Sequence, residues 1–202
     1  MRSYVFMRLA VGLLALALPL VLVLGEPLVF DGQPFPRGSL SAYYYSGVRE
    51  LFVGMLWAIG AFLVTYKLLE RSRESRASTY AGALIVLVAV FPTQRPGAGF
   101  ELTPLQARLG ETVVELVHWG AAGLALALLA LLSYYFGRYG RSFRRFHYAA
   151  AGVIVAALAL AAFAGLTGEP DNGLLMAEVA AVLAFAASWL RTVELELLLA
   201  RA

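Results

Sequence analysis

An all-α integral membrane bundle of six transmembrane helices is the fold class that three observations predict. Of 202 residues 61% are hydrophobic and only 14% charged, with a mean hydropathy of +0.76, so polar side chains are too few to cover a water-soluble surface. Apolar runs long enough to cross a hydrocarbon core about 30 Å thick recur along the chain. The basic residues between those runs fall mostly on one side. With six spans and short connections the chain is used up, so residues 1–202 read as a single transmembrane domain.

The spans are expected at about 7–25, 48–69, 78–93, 111–136, 147–167 and 174–199. The first follows Arg2 and Arg8 and has the charge and apolar pattern of a secretory signal. Gly25-Glu26-Pro27, just after the run, make no small-x-small site, so it is expected to stay as an uncleaved span. The second opens at Arg49-Glu50. The third is short and stops at Pro92, which cannot donate a backbone hydrogen bond; Ser78 and Thr93 mark its ends. The fourth carries Glu111, Glu115 and His118, the fifth starts at His147, and the sixth carries Glu178 and Ser188. Turn residues separate them at Asp31-Gly32, Pro96-Gly97, Gly137 to Gly140 and Gly168 to Gly173.

Lys and Arg are retained in the cytoplasm, and their distribution sets the orientation. Arg2, Arg8, Lys67, Arg71, Arg73, Arg76, Arg138, Arg141, Arg144, Arg145, Arg191 and Arg201 fall on one side, against Arg37, Arg49, Arg95 and Arg108 on the other. Both termini are therefore expected in the cytoplasm, with the chain in a cell (inner) membrane. Arginine and alanine richness with Lys67 as the only lysine suggests a GC-rich bacterial genome. The basic clusters lie between apolar runs, so the net charge of +3 reads as topology and points to the lipid bilayer as partner, not nucleic acid. The absence of cysteine excludes thiolate metal ligands, iron–sulfur clusters, disulfides and a thiol nucleophile together.

The candidate site is the outer layer. Glu111, Glu115 and His118 are spaced i, i+4, i+7 and share a helical face. Ionisable groups at membrane depth are costly and usually face a bundle interior, a partner charge or water. Arg49, Glu50 and Glu178 enter at the same level, with Ser41, Tyr45 and Thr93 beside them. These nine residues are the expected lining of a polar pocket for a lipid or small molecule. Arg49 is expected to be buried against Glu115 or Glu178, because a buried ion is normally paired. Two further readings compete: an intramembrane hydrolase acting on a lipid head group with His118 or Glu115 as general base, and a structural partner subunit. A metal site of Glu and His ligands lacks a second nearby histidine or an H-E-x-x-H motif, so no metal is expected and no cofactor is named. Ser188 is expected to bond back to its own helix. No Walker, dinucleotide or serine-elbow motif occurs, and oligomeric state is not encoded legibly.

Ser39-x-Ser41-x-Tyr43-Tyr44 ahead of Arg49-Glu50-Leu51-Phe52-Val53-Gly54, Phe91-Pro92-Thr93 at the end of the third span, and His118 followed by small residues resemble an uncharacterised bacterial family of six-span membrane proteins. That family is catalogued as a domain of unknown function and is similar to eukaryotic lipid-remodelling six-span proteins. The resemblance implies six spans over most of the chain and carries no activity with it. Alkaline ceramidase-like membrane hydrolases, which hold zinc with several histidines, differ in span count and histidine count.

Overall fold

The computed structural model describes residues 2–29, 36–66, 72–139, 143–167 and 173–199. The Asp31-Gly32 turn, residues 67–69 of the second expected span, and the charges Lys67, Arg71, Arg141, Glu169, Asp171 and Arg201 lie outside them. The described residues form seven α-helices, one 3-10 turn and no strand. The helices are α1 (Arg2–Val29), α2 (Arg49–Thr65), α3 (Arg73–Val90), α4 (Pro104–Leu109), α5 (Glu111–Tyr139), α6 (Arg144–Thr167) and α7 (Gly173–Leu199), with the turn at Ser41–Tyr45.

Four of these, over Val5–Leu28, Glu111–Tyr139, Arg144–Ala164 and Gly173–Val193, are long and apolar enough to cross a membrane. Their outward faces carry large apolar side chains, among them Leu13, Leu20, Leu24, Leu116, Leu124 and Phe163. A water-soluble protein rarely leaves so many exposed together, and lipid is the solvent that accepts them. The six-span expectation is met only in part. Helix α2 has 17 residues and α3 has 18, which at about 1.5 Å per residue is about 26–27 Å, and α3 begins with Arg73, Glu74 and Arg76.

Several boundaries differ from the sequence expectation for identifiable reasons. Helix α1 runs through Pro19 and Pro27 to Val29, past the expected end at 25, and so carries Glu26 on the helix. Helix α3 starts five residues early, because the Ser72 side chain accepts from the Ser75 backbone N–H and caps it. It ends at Val90, with Phe91 extended, as the residue before a proline prefers to be. Helix α5 continues through Gly137, an expected turn residue, and Tyr148 of α6 packs there where a Cβ would sit. Helix α4 was not expected at all; a reciprocal capping box between Thr103 and Gln106, with Pro104 in the first turn, forms it.

The six long helices close into a ring in chain order. Each of α1, α2, α3, α5, α6 and α7 packs on the next, α7 returns to α1, and α5 touches α7 across the interior. The closest approach is between α2 and α3. A Cβ on Gly82 would lie 2.5 Å from the Gly60 carbonyl oxygen and 2.8 Å from the Val64 nitrogen, so only glycine admits this backbone contact. Alternate helices run in opposite directions, which places residues 36–48, 91–111 and 173–178 at one end of the ring. Arg8, Tyr66, His147 and Trp189 gather at the other.

Candidate functional site

Inside the ring lies a cavity of about 100 Å³, walled by α1, α2, α3, α5, α7 and the segment before the 3-10 turn. Its side walls are apolar: Leu18, Phe52, Ile85, Ala125, Leu129 and Phe185 are representative. Among the described residues, Ser41 and Glu178 are its only polar lining. This cavity is thus apolar with a polar end, unlike the polar pocket expected from the nine residues. Tyr45, Arg49, Glu50, Thr93, Glu111, Glu115 and His118 do not line it, and His118 reaches it only through Ser41.

The polar end is built by the turn. Ser39 Oγ accepts from the Ala42 N–H, and the Glu178 carboxylate accepts from the Leu40 N–H at 2.6 Å, so the start of the turn is held from two sides. Ser41 then faces His118 of α5, with 2.9 Å between Oγ and Nε2. The other ring nitrogen, Nδ1, is 2.6 Å from the Phe91 carbonyl oxygen. A carbonyl only accepts, so Nδ1 carries the proton, and in the neutral ring Nε2 accepts from the Ser41 hydroxyl. Pro92 contributes indirectly: by stopping α3 it leaves the Phe91 carbonyl outside the helix, where His118 takes it up. His118 and Ser41 are both buried.

The remaining expected site residues go elsewhere. Tyr45 donates to the Thr93 carbonyl at 3.0 Å and accepts from Gln106 Nε2 at 2.8 Å, which pins α4 to the turn. Burial raises the Tyr45 phenol above the usual tyrosine range, with Gln106 partly opposing it, so it stays a neutral donor. Glu111 pairs through both carboxylate oxygens with Arg95, at 3.0 Å each, and this hydrogen bonding raises Arg95 above its usual range. Glu115 accepts only a long contact from Trp119 on its own helix, 3.4 Å. Arg49 is exposed rather than buried. It donates to the Tyr44 hydroxyl at 2.7 Å and stacks over that ring, and among the described residues it pairs with neither Glu115 nor Glu178. Glu50 is exposed. A buried ion pair forms elsewhere: Arg37 Nε reaches both oxygens of Glu26, at 2.9 and 2.8 Å.

Comparison with family models, curated proteins and solved structures finds no match. The functional reading rests on the residues alone. A second serine–histidine contact lies at the opposite end, where Ser188 Oγ is 2.9 Å from His147 Nδ1, in place of the expected bond within its own helix. Ser188 does not line the cavity. Around it Trp189 donates to the Arg8 carbonyl, the Arg8 guanidinium donates to Thr192, and Arg8 lies 5.4 Å from the centre of the Tyr66 ring, so this end locks α1 to α7 and α2. Among the described residues no three His, Asp or Glu side chains converge as metal ligands would.

Proposed function

We propose that the chain is a six-span membrane protein that binds a short acyl segment of a lipid, or a small apolar molecule, in the central cavity, with the ligand's polar head towards Ser41 and Glu178. In this reading α2 and α3 cross with the other four helices, both termini lie in the cytoplasm, and the polar end faces outward, in keeping with the resemblance to a six-span family. The observation that carries it is the cavity itself: apolar on every side wall and polar at one end, the pattern of small-molecule sites, where few polar groups fix orientation. Its volume is on the scale of engineered apolar cavities of about 150 Å³ that take up benzene, so part of a lipid chain fits and a whole lipid does not.

Photolabelling of the purified protein with a diazirine-bearing short-chain alcohol tests this. Adducts are expected on Ala125, Leu126 and Val182, and Ala125→Leu, which fills the space, should abolish them while outward-facing Leu116 remains labelled. Cavity-wall labelling unaffected by Ala125→Leu in a variant that still melts like the parent would contradict the reading.

A further inference from the structure

We propose that Ser41 is a nucleophile, activated by His118, that accepts the acyl group of an ester bound in the cavity. This deepens the ligand reading above and rests on it. Three arrangements point the same way. Ser41 Oγ lies at hydrogen-bond distance from His118 Nε2, the geometry in which an imidazole removes a hydroxyl proton. His118 is held in the required tautomer by the Phe91 carbonyl at Nδ1, so the basic nitrogen is the one that faces the serine. Ser41 also lines the apolar cavity, which would hold an acyl chain with its carbonyl beside the hydroxyl. A nucleophile, an oriented base and a chain-binding space are the parts that acyl transfer needs.

The step balances without a cofactor. Ser41 Oγ bonds to the ester carbonyl carbon as His118 Nε2 takes the hydroxyl proton. The ester C–O bond then breaks, and His118 returns that proton to the departing alcohol. Water follows the same path in reverse, frees Ser41 and releases a carboxylic acid. Phe91 and Glu178 are positioning groups: the first orients the imidazole, the second anchors the Leu40 backbone next to the serine. The Leu40 N–H is the nearby donor for an oxyanion, and in this structure Glu178 occupies it. The resting geometry therefore favours slow acylation over rapid turnover.

The Ser188–His147 contact provides an internal comparison, because Ser188 is fully buried and outside the cavity wall. The test is covalent labelling of the full-length protein in detergent with an alkyl fluorophosphonate, in which the serine O–P bond forms, the P–F bond breaks and fluoride leaves. Peptide mass spectrometry should place the adduct on Ser41 and not on Ser188. His118→Gln should slow it by about 100-fold or more, the scale of a lost general base, in a preparation whose melting curve shows it is folded. Should His118→Gln not fold, Phe91 is probed through Pro92→Ala, which lets α3 continue and is expected to slow labelling at Ser41 by disturbing the imidazole. No adduct on Ser41 while the diazirine alcohol still labels the cavity wall overturns the nucleophile and leaves the ligand reading standing. Loss of both overturns both. Equal labelling of Ser41 and Ser188, or labelling of Ser41 indifferent to both variants, also overturns the proposal.

Discussion

Glu26 and Arg37 hold an ion pair in which both side chains are almost wholly withdrawn from solvent, at 1% and 8% exposure. Removing one partner strands a charge, whereas removing both removes the desolvation cost as well. Glu26→Leu or Arg37→Met alone is expected to lower stability by about 3–5 kcal/mol, and the double variant to melt close to the parent. Thermal unfolding in detergent reads this directly. Two single variants that melt like the parent would show that the pair is solvated. Arg49→Ala serves as the contrast: its guanidinium is exposed over Tyr44, and an exposed cation–aromatic contact is worth about 0.5–1 kcal/mol. At this scale the sequence identified the right layer and the wrong partners. Ser41, His118 and Glu178 were singled out by depth and residue type, and they do meet around the turn. Arg49 was assigned the buried carboxylate because its depth was legible and its rotation about the helix axis was not. Glu26 was expected in the outer connection and not as a buried helix residue, because α1 was expected to end at residue 25, although helices in apolar surroundings tolerate proline where neighbours satisfy the freed backbone groups.

At the scale of elements, contact between α2 and α3 depends on two glycines separated by more than twenty residues in sequence. Gly82→Ala drives a methyl into the backbone of α2 and is expected to cost about 1–3 kcal/mol, as overpacking does. Gly54→Ala meets nothing within 4 Å and should be neutral or stabilise by up to about 1 kcal/mol, since alanine is the better helix former. Equal melting temperatures for the two variants would mean that the helices are not in backbone contact. The existence of each long helix was legible from its apolar run, but this pairing was not, because neither glycine belongs to a G-x-x-x-G pattern and the last two helices are the ones rich in small residues. Those do pack together, burying Ala150, Ala151, Ala177 and Ala181 while leaving Ala149 and Ala180 outward. Helix α4 was legible and missed: Thr103-Pro104-Leu105-Gln106 carries the threonine, proline and glutamine of a helix start, hidden in a segment read as a connection.

For the whole molecule, the account turns on whether the cavity lies inside the membrane, which requires α2 and α3 to cross with the four longer helices. Phe52 and Ile59 from α2 and Ile85 and Val88 from α3 supply one side of its wall, so in a chain that crosses only four times this wall would lie outside the membrane. Composition made the lipid solvent legible, and charge asymmetry gave an expected orientation. The ring closure that makes a cavity was not legible, because it depends on which faces of six helices meet. Four-span and six-span topologies place the termini on the same side, so terminal reporters do not separate them. The connection between α2 and α3 does. With no native cysteine to interfere, single cysteines at Ser72, Gly99 and Phe143 can be treated with a membrane-impermeant maleimide in intact cells and after permeabilisation. Gly99→Cys is predicted to react from outside, and Ser72→Cys and Phe143→Cys only after permeabilisation; reaction of Ser72→Cys from the same side as Gly99→Cys would contradict the six-span ring and the intramembrane cavity with it.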